Sequence, residues 1–406
     1  MNLTLLPKKK INFSHPFILT IISILLGFFV GAIVLLAAGY NPIEAYSVMI
    51  FGAFGTPRFV MNVIIIAAPL LFTGLSVTFA FRTGLFNIGA EGQFIIGSLA
   101  TVLVGYFVRL PLILHVPLVF ASAMAAGALW GGFSGILKAK FGVHEVISTI
   151  MLNWIALFLN NFMIVQPFLR RGSAEASHRI QDTARIDLLG VWKRSPEGIA
   201  WRAENPFWGD LLRSEINFGI LFALVGALVV WYIIYKTTLG YELRAVGFNQ
   251  SAAHYGGIQV KRSMTVSMAI AGALAGAAGG IHVMGITREI TILAAMEGNG
   301  FDGIAVSLIG ANTPLGVVLA GLFFSALRYG GTKVQPLLGA PREIINIMMG
   351  TIVLFVAMPG LFQSIQDYMK RQKKLKELQE KSSGSSHPIS TPNNQDTHQS
   401  QEKGRN

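Results

Sequence analysis

Apolar stretches of helical length alternate with short polar punctuation along nearly the whole chain. Residues 17–40, 59–81, 92–108, 110–137, 146–169, 216–235, 263–287, 303–327 and 344–365 contain no Asp, Glu, Lys or Arg. Most of these runs reach the roughly twenty residues with which an α-helix crosses a hydrocarbon core of about 30 Å. A membrane β-barrel would instead show short segments of alternating polarity. The pattern therefore predicts an all-α fold, a polytopic helical membrane protein. The first run, Phe17 to Tyr40, has no small-residue cleavage site until its far end, so it reads as a spanning helix and not as a removed leader.

Charge sets the expected orientation. Lys8, Lys9 and Lys10 precede the first run, and Lys370, Arg371, Lys373, Lys374, Lys376 and Lys381 follow the last. The positive-inside rule places both ends in the cytoplasm, with Arg82, Lys138, Lys140 and the basic segment from Lys236 to Arg262 on the same side. Residues 170–215, with eight basic and seven acidic side chains and three tryptophans (Trp192, Trp201, Trp208), are expected as an extracellular loop. Nine crossings cannot leave both termini inside. A tenth is expected within 286–302, ITREITILAAMEGNGFD, or at the Ala311-Asn312-Thr313-Pro314 interruption, where proline ends a helix. The expected architecture is about ten membrane segments, with eight full crossings plus re-entrant pieces as the alternative. A cytoplasmic N-terminus (1–16) precedes a transmembrane domain (17–369), and the polar tail (370–406) is expected to be largely disordered.

Two interruptions stand out because they carry polar side chains within apolar surroundings. The first, Gly84 to Gly92, brings Asn87 and Glu91, with Gln93 next to it. The second, Gly298 to Gly310, brings Asn299 and Asp302, with Glu297 just before it. The two lie at corresponding points of two halves, as in transporters built from repeats with discontinuous helices. A carboxylate facing lipid is costly, so these groups are expected to turn into the bundle. Asn87, Glu91, Gln93, Asn299 and Asp302 become candidates for the wall of a solute path, and equally for caps and inter-helix glue; Phe86 and Phe301 stand beside them. Gly272, Gly276 and Gly280 recur at four-residue spacing, which predicts close helix packing.

Composition narrows the chemistry. Charged residues make up 13% of the 406, against about 25% in soluble domains. The +12 net charge sits at the membrane flanks, so it does not indicate nucleic acid. Absent cysteine removes disulfides, thiolate nucleophiles and cysteine metal ligands. No G-x-x-x-x-G-K-[ST] phosphate loop, dinucleotide fingerprint or His-Glu-x-x-His pair occurs. No catalytic residues, metal site or cofactor are expected. An ion-driven transporter using Glu91, Glu289, Glu297 or Asp302 as its titrating group stays open on these grounds.

The stretches GLFNIGAEGQFIIG (84–97), TTLGYELRAVGFNQSAAHYGGI (237–258) and GFDGIAVSLIGANTPLG (300–316) resemble the inner-membrane permease family of bacterial ABC importers for ribose, branched-chain amino acids and nucleosides. The Gly-Ala-Glu-Gly-Gln form and the long outer loop are most similar to its nucleoside (guanosine-type) subgroup. The resemblance implies nucleoside uptake driven by ATP hydrolysis in a separate ATP-binding subunit. It also implies a second, usually different permease chain and an extracytoplasmic substrate-binding lipoprotein. Ribose or branched-chain amino acids are the alternative solutes. Residues 237–262 are then expected as the cytoplasmic coupling loop. Leu239, Gly240, Arg244 and Gly247 would lie on a short helix that contacts the ATPase, and Asn249 would cap the next helix.

Overall fold

The computed structural model describes residues 16–357 together with Tyr368, Arg371 and Gln372. The expected N-terminal segment and polar tail lie almost wholly outside them. Ser23–Ala357 forms one compact unit. Its helices, in chain order, are α1 (Pro16–Ala37), α2 (Pro42–Phe54), α3 (Pro57–Arg82), α4 (Ala90–Phe107), α5 (Leu112–Phe141) and α6 (Glu145–Ile164). They continue as α7 (Pro196–Glu204), α8 (Pro206–Leu212), α9 (Gly219–Lys236), α10 (Thr238–Phe248), α11 (Gln250–Tyr255) and α12 (Val260–His282). The last are α13 (Asn299–Ile309), α14 (Pro314–Gly331), α15 (Val334–Leu338) and α16 (Arg342–Ala357). Among the described residues only isolated β-bridges occur.

Local sequence explains where several helices begin. α2, α3 and α14 open with Asn41-Pro42, Thr56-Pro57 and Thr313-Pro314. In each, the side chain of the first residue accepts an early backbone N–H, and proline supplies the next residue at no hydrogen-bond cost. α5 ends on Lys138, Lys140 and a left-handed Gly142, a helix stop that also favours the carbonyl end of the dipole.

Seven described helices are long and apolar enough to cross a membrane: α3, α4, α5, α6, α9, α12 with its extension, and α14 with α15. α1 and α2, bent by 120°, make an eighth if counted together. α3 is the central one. Its first turn holds Arg58, whose backbone N–H donates to Asp210 of the 170–215 segment, and it ends at Arg82. These mark the two ends of the bundle, the loop face and the Arg82 face.

The crossing expected around 286–302 is present but discontinuous: no single helix runs through 286–302. α12 extends as a π-helical turn, Val283–Thr287, and the backbone then leaves helical geometry until α13 starts at Asn299. Residues 288–292 pair with the loop face through Ser177 and Glu175, while Asn312, beyond α13, meets Arg82 at the other end. Extended chain plus one half-length helix thus traverses the bundle from end to end. The break at 311–314 falls where the sequence places it, with Ala311 and Asn312 both in the left-handed region.

The glycine face on α12 packs as expected. A Cβ on Gly272 or Gly276 would press into the backbone carbonyls of Gly127 and Ala123 on α5. The gain is dispersion contact between backbones, which substitutes in a bilayer for the missing hydrophobic drive. The 170–215 segment is a folded layer. Gln181 donates to the Tyr106 and Val108 carbonyls, and His178 stacks on Tyr106 with centroids 4.6 Å apart. Lys193 is buried there and donates to the Ser214 carbonyl. Burial pushes its ammonium below the usual lysine range, and Glu215 and Asp187 oppose that shift.

Candidate functional site

The first break separates α3 from α4 by residues 83–89, whose backbone groups must find partners outside a helix. Asn153 of α6 supplies one for the break and one for the first turn of α4. Its Nδ2 donates to the Ile88 carbonyl (3.0 Å), and its Oδ1 accepts from Gly92 N (2.8 Å). Asn87 and Gln93 form a reciprocal amide pair, at 2.8 and 3.1 Å. Asn87 also donates to Ser76 Oγ, and Ser76 donates in turn to the Ala271 carbonyl of α12. Both amides are buried. They fasten the break to α3 and α12.

Glu91 connects this break to the second one. It lies in the first turn of α4 and is fully buried. Oε1 accepts from Gly298 N at 2.8 Å, and Oε2 from Gly300 N at 2.6 Å. Gly298 is the N-cap of α13, so one carboxylate meets the positive ends of two helix dipoles. Two charge-assisted hydrogen bonds and two N-termini compensate its desolvation. A Cβ on Gly300 would collide with the backbone of Glu91, so glycine alone permits this approach. Asn299 and Asp302 follow on α13. Arg328 of α14 holds both, at 2.9 Å from Asn299 Oδ1 and 2.8 Å from Asp302 Oδ2.

The extended segment before α13 is held by side chains. Asn161 donates to and accepts from Leu293, Asn160 donates to the Thr291 carbonyl, and Ser177 Oγ accepts from Ile290 N. Non-helical backbone within a membrane bundle is tolerated where protein groups satisfy it or where it borders a cavity. A cavity of about 250 Å³ lies beside it, between α4, α6 and the end of α12.

At the Arg82 face, α10 rests on the first break. Gly247 sits where any Cβ would press into the Arg82 carbonyl, against the left-handed Gly84. Gly240, Leu243 and Val246 form the buried side of α10. Thr237 caps α10, and Asn249 Oδ1 accepts from Ala252 N to cap α11, as its sequence position predicts. Tyr235 of α9 has Arg82 on its ring at 5.8 Å and Arg244 at 5.6 Å. Arg82 also donates twice to the Asn312 carbonyl, at 2.9 and 2.7 Å. Residues 237–258 therefore touch the first break directly, through Gly247, and reach the Asn312 turn beyond α13 only through the chain of Arg244, Tyr235 and Arg82.

All five candidate path residues gather where the two breaks meet. Asn87, Glu91 and Gln93 are bonded within the chain and shielded from solvent, while Asp302 remains half-buried. Sequence reasoning missed Arg328, Asn153 and the Asn160–Asn161 pair. Uncharged asparagines recurring along the 146–169 run were the available signal. It also missed Phe248 and Tyr255, which project from the α10–α11 elbow at 90% and 94% exposure. Among the described residues no cluster of His, Asp and Glu is arranged to hold a metal.

Residues 59–357 match the family model described as the permease component of branched-chain amino acid transport systems. The chain is 39% identical to the guanosine ABC transporter permease protein NupP of Bacillus subtilis, across 87% of this chain and 96% of NupP. It is 35% identical to the nucleoside ABC transporter permease protein NupB of Lactococcus lactis, across 87% and 93%. It is 31% identical to the glucose ABC transporter permease protein TsgB13 of Haloferax volcanii, across 84% and 87%. No solved structure matches it. With a family match over most of its length, and helices that join two polar breaks inside an apolar bundle, the chain belongs to the permease-component family of ABC transporters.

Proposed function

We propose that this chain is a permease subunit of an ABC importer for nucleosides. A second permease chain completes the membrane path, an ATP-binding subunit docks at the Arg82 face, and a substrate-binding lipoprotein delivers solute at the loop face. Both termini are then cytoplasmic. The nucleoside assignment rests on full-length likeness to NupP and NupB. Likeness to TsgB13 supports a sugar as the second reading.

One observation supports the mechanism: α10 rests on the first break through Gly247, Arg244 and Arg82 share the Tyr235 ring on the way to the Asn312 turn, and Glu91 joins the first break to the start of α13. The ATPase would grip Phe248 and Tyr255, large exposed aromatics of the kind that anchor protein interfaces. Leu239, Gly240, Arg244, Gly247 and Asn249 keep α10 and α11 rigid and seated. A tilt of α10 then moves the Gly84 turn and, through Tyr235 and Arg82, the Asn312 turn. Asn87, Glu91, Gln93, Asn299 and Asp302 frame the path that opens or closes. Uptake in vesicles carrying the complete transporter tests this. Blocking ATP hydrolysis in the partner should abolish uptake. Uptake that persists in energised vesicles without ATP would instead mean an ion-driven transporter.

A further inference from the structure

The cavity beside the extended segment has a defined chemistry. One wall is aromatic: Phe94 of α4 and His282 of α12, with ring centroids 5.4 Å apart and planes tilted by 58°. The surrounding surface is apolar, from Ile95, Val283, Ile290 and Leu293. Ser98 also lines it. Its Oγ is buried without a hydrogen-bond partner, at a cost that points to an occupant able to bond it.

Two carboxylates border the space, and they differ. Glu289 is neutralised by Arg171 and Arg179. Glu297 has no such cation. Its Oε2 accepts from Asn299 Nδ2 at 2.9 Å, His282 Nε2 stands 3.8 Å from that same oxygen, and Oε1 makes no described bond. The π-helical turn that follows His282 widens α12 at this point, an irregularity often found at functional sites.

We propose that this cavity is a station where the permease holds a nucleoside, with the base packed on Phe94 and His282 and the ribose hydroxyls donated to Glu297 and Ser98. The proposal rests on the nucleoside reading above. An uncharged solute with one flat apolar face and a pair of O–H donors satisfies each wall. The Glu297 carboxylate, exposed at the border of the cavity with no arginine or lysine paired to it, repels the carboxylate of an amino acid and the phosphate of a nucleotide. The station therefore selects nucleosides over nucleotides and over branched-chain amino acids. It sits next to the Glu91 clamp, because Glu297 directly precedes the Gly298 N–H that Glu91 holds.

Photolabelling tests this on the assembled transporter in proteoliposomes, without the binding protein, using 8-azidoguanosine as the probe. The label should map to the peptides containing Phe94–Ser98 and His282–Glu297. Guanosine should protect, whereas guanosine monophosphate and 2′,3′-dideoxyguanosine should not. Glu297→Gln, which preserves shape, should lower labelling by about tenfold or more, the loss for one hydrogen bond to a charged acceptor. Thr287→Trp, which fills the cavity, should abolish it. Partner ATPase activity shows whether each variant assembles. Label confined to other segments, or labelling unchanged in both assembled variants, overturns the station. Guanosine uptake by the wild-type complex with its binding protein is measured in parallel. Its absence would overturn the nucleoside reading itself, whereas uptake without the predicted labelling would overturn the station alone.

Discussion

Replacing Glu91 by alanine removes the only acceptor described for two backbone N–H groups, that of Gly300, which is buried, and that of Gly298, which is half-buried. A buried donor left unsatisfied costs about 1–3 kcal/mol, so the Gly300 N–H alone should cost that much, and the half-buried Gly298 N–H adds a smaller penalty. Loss of a negative charge from two helix N-termini adds to this, by about 0.3–1 kcal/mol each. The sum is a large part of the roughly 5–15 kcal/mol that ordinarily separates folded from unfolded protein. Glu91→Gln keeps one acceptor oxygen and turns an NH₂ toward the other N–H, so it should fall between wild type and alanine. Denaturant unfolding of the purified chain in mixed micelles reads these differences. The chain has no cysteine, which permits a clean second readout. A single cysteine at Met296 should react slowly with a water-soluble maleimide in the parent and much faster beside Glu91→Ala, because the extended segment comes loose. If Glu91→Ala unfolds within about 0.5 kcal/mol of wild type, the range of an ordinary surface substitution, the clamp between the two breaks is refuted.

Three further perturbations separate packing from transmission. Gly272→Val should weaken the α5–α12 contact by at least about 1–3 kcal/mol, the cost of overpacking, and should lower the yield of folded protein; an unchanged thermal midpoint would contradict the backbone contact described for Gly127. The double variant Phe248→Ala, Tyr255→Ala should insert and fold normally but lose co-purification with the ATP-binding subunit, and retained co-purification would mean that the elbow is not the docking point. Tyr235→Leu should leave subunit assembly intact while ATP hydrolysis continues with little uptake; unimpaired uptake would rule out the Arg82–Tyr235–Arg244 stack as a transmitting element.

Much of this was legible in the sequence because it is local. Apolar runs mark the long helices, Thr313-Pro314 marks the start of α14, Asn249 marks the cap of α11, and the four-residue glycine spacing marks the α12 face. Polar residues within apolar runs also pointed to both breaks. The partner of each polar group could not be read, because it lies far away in sequence. Glu91 bonds residues 207 and 209 positions away, and Asn161 meets Leu293 across 132. The same limit hid the extended course of the backbone before α13. The apolar composition of 286–302 reads as helix, yet Asn160, Asn161 and Ser177 offer its backbone an alternative set of partners. The cavity escaped notice because Phe94, Ser98 and His282 are unremarkable where they stand, and only folding brings them around one space with Glu297.

The central claim is ATP-driven nucleoside import, and competition for uptake tests it most directly. Cells or proteoliposomes containing the complete transporter are given labelled guanosine, with unlabelled nucleosides, glucose, ribose or leucine as competitors. The account predicts that guanosine enters only while the partner subunit hydrolyses ATP, and that nucleosides compete while the sugars and leucine do not. Entry of glucose, ribose or leucine, with no nucleoside entering or competing, would contradict it.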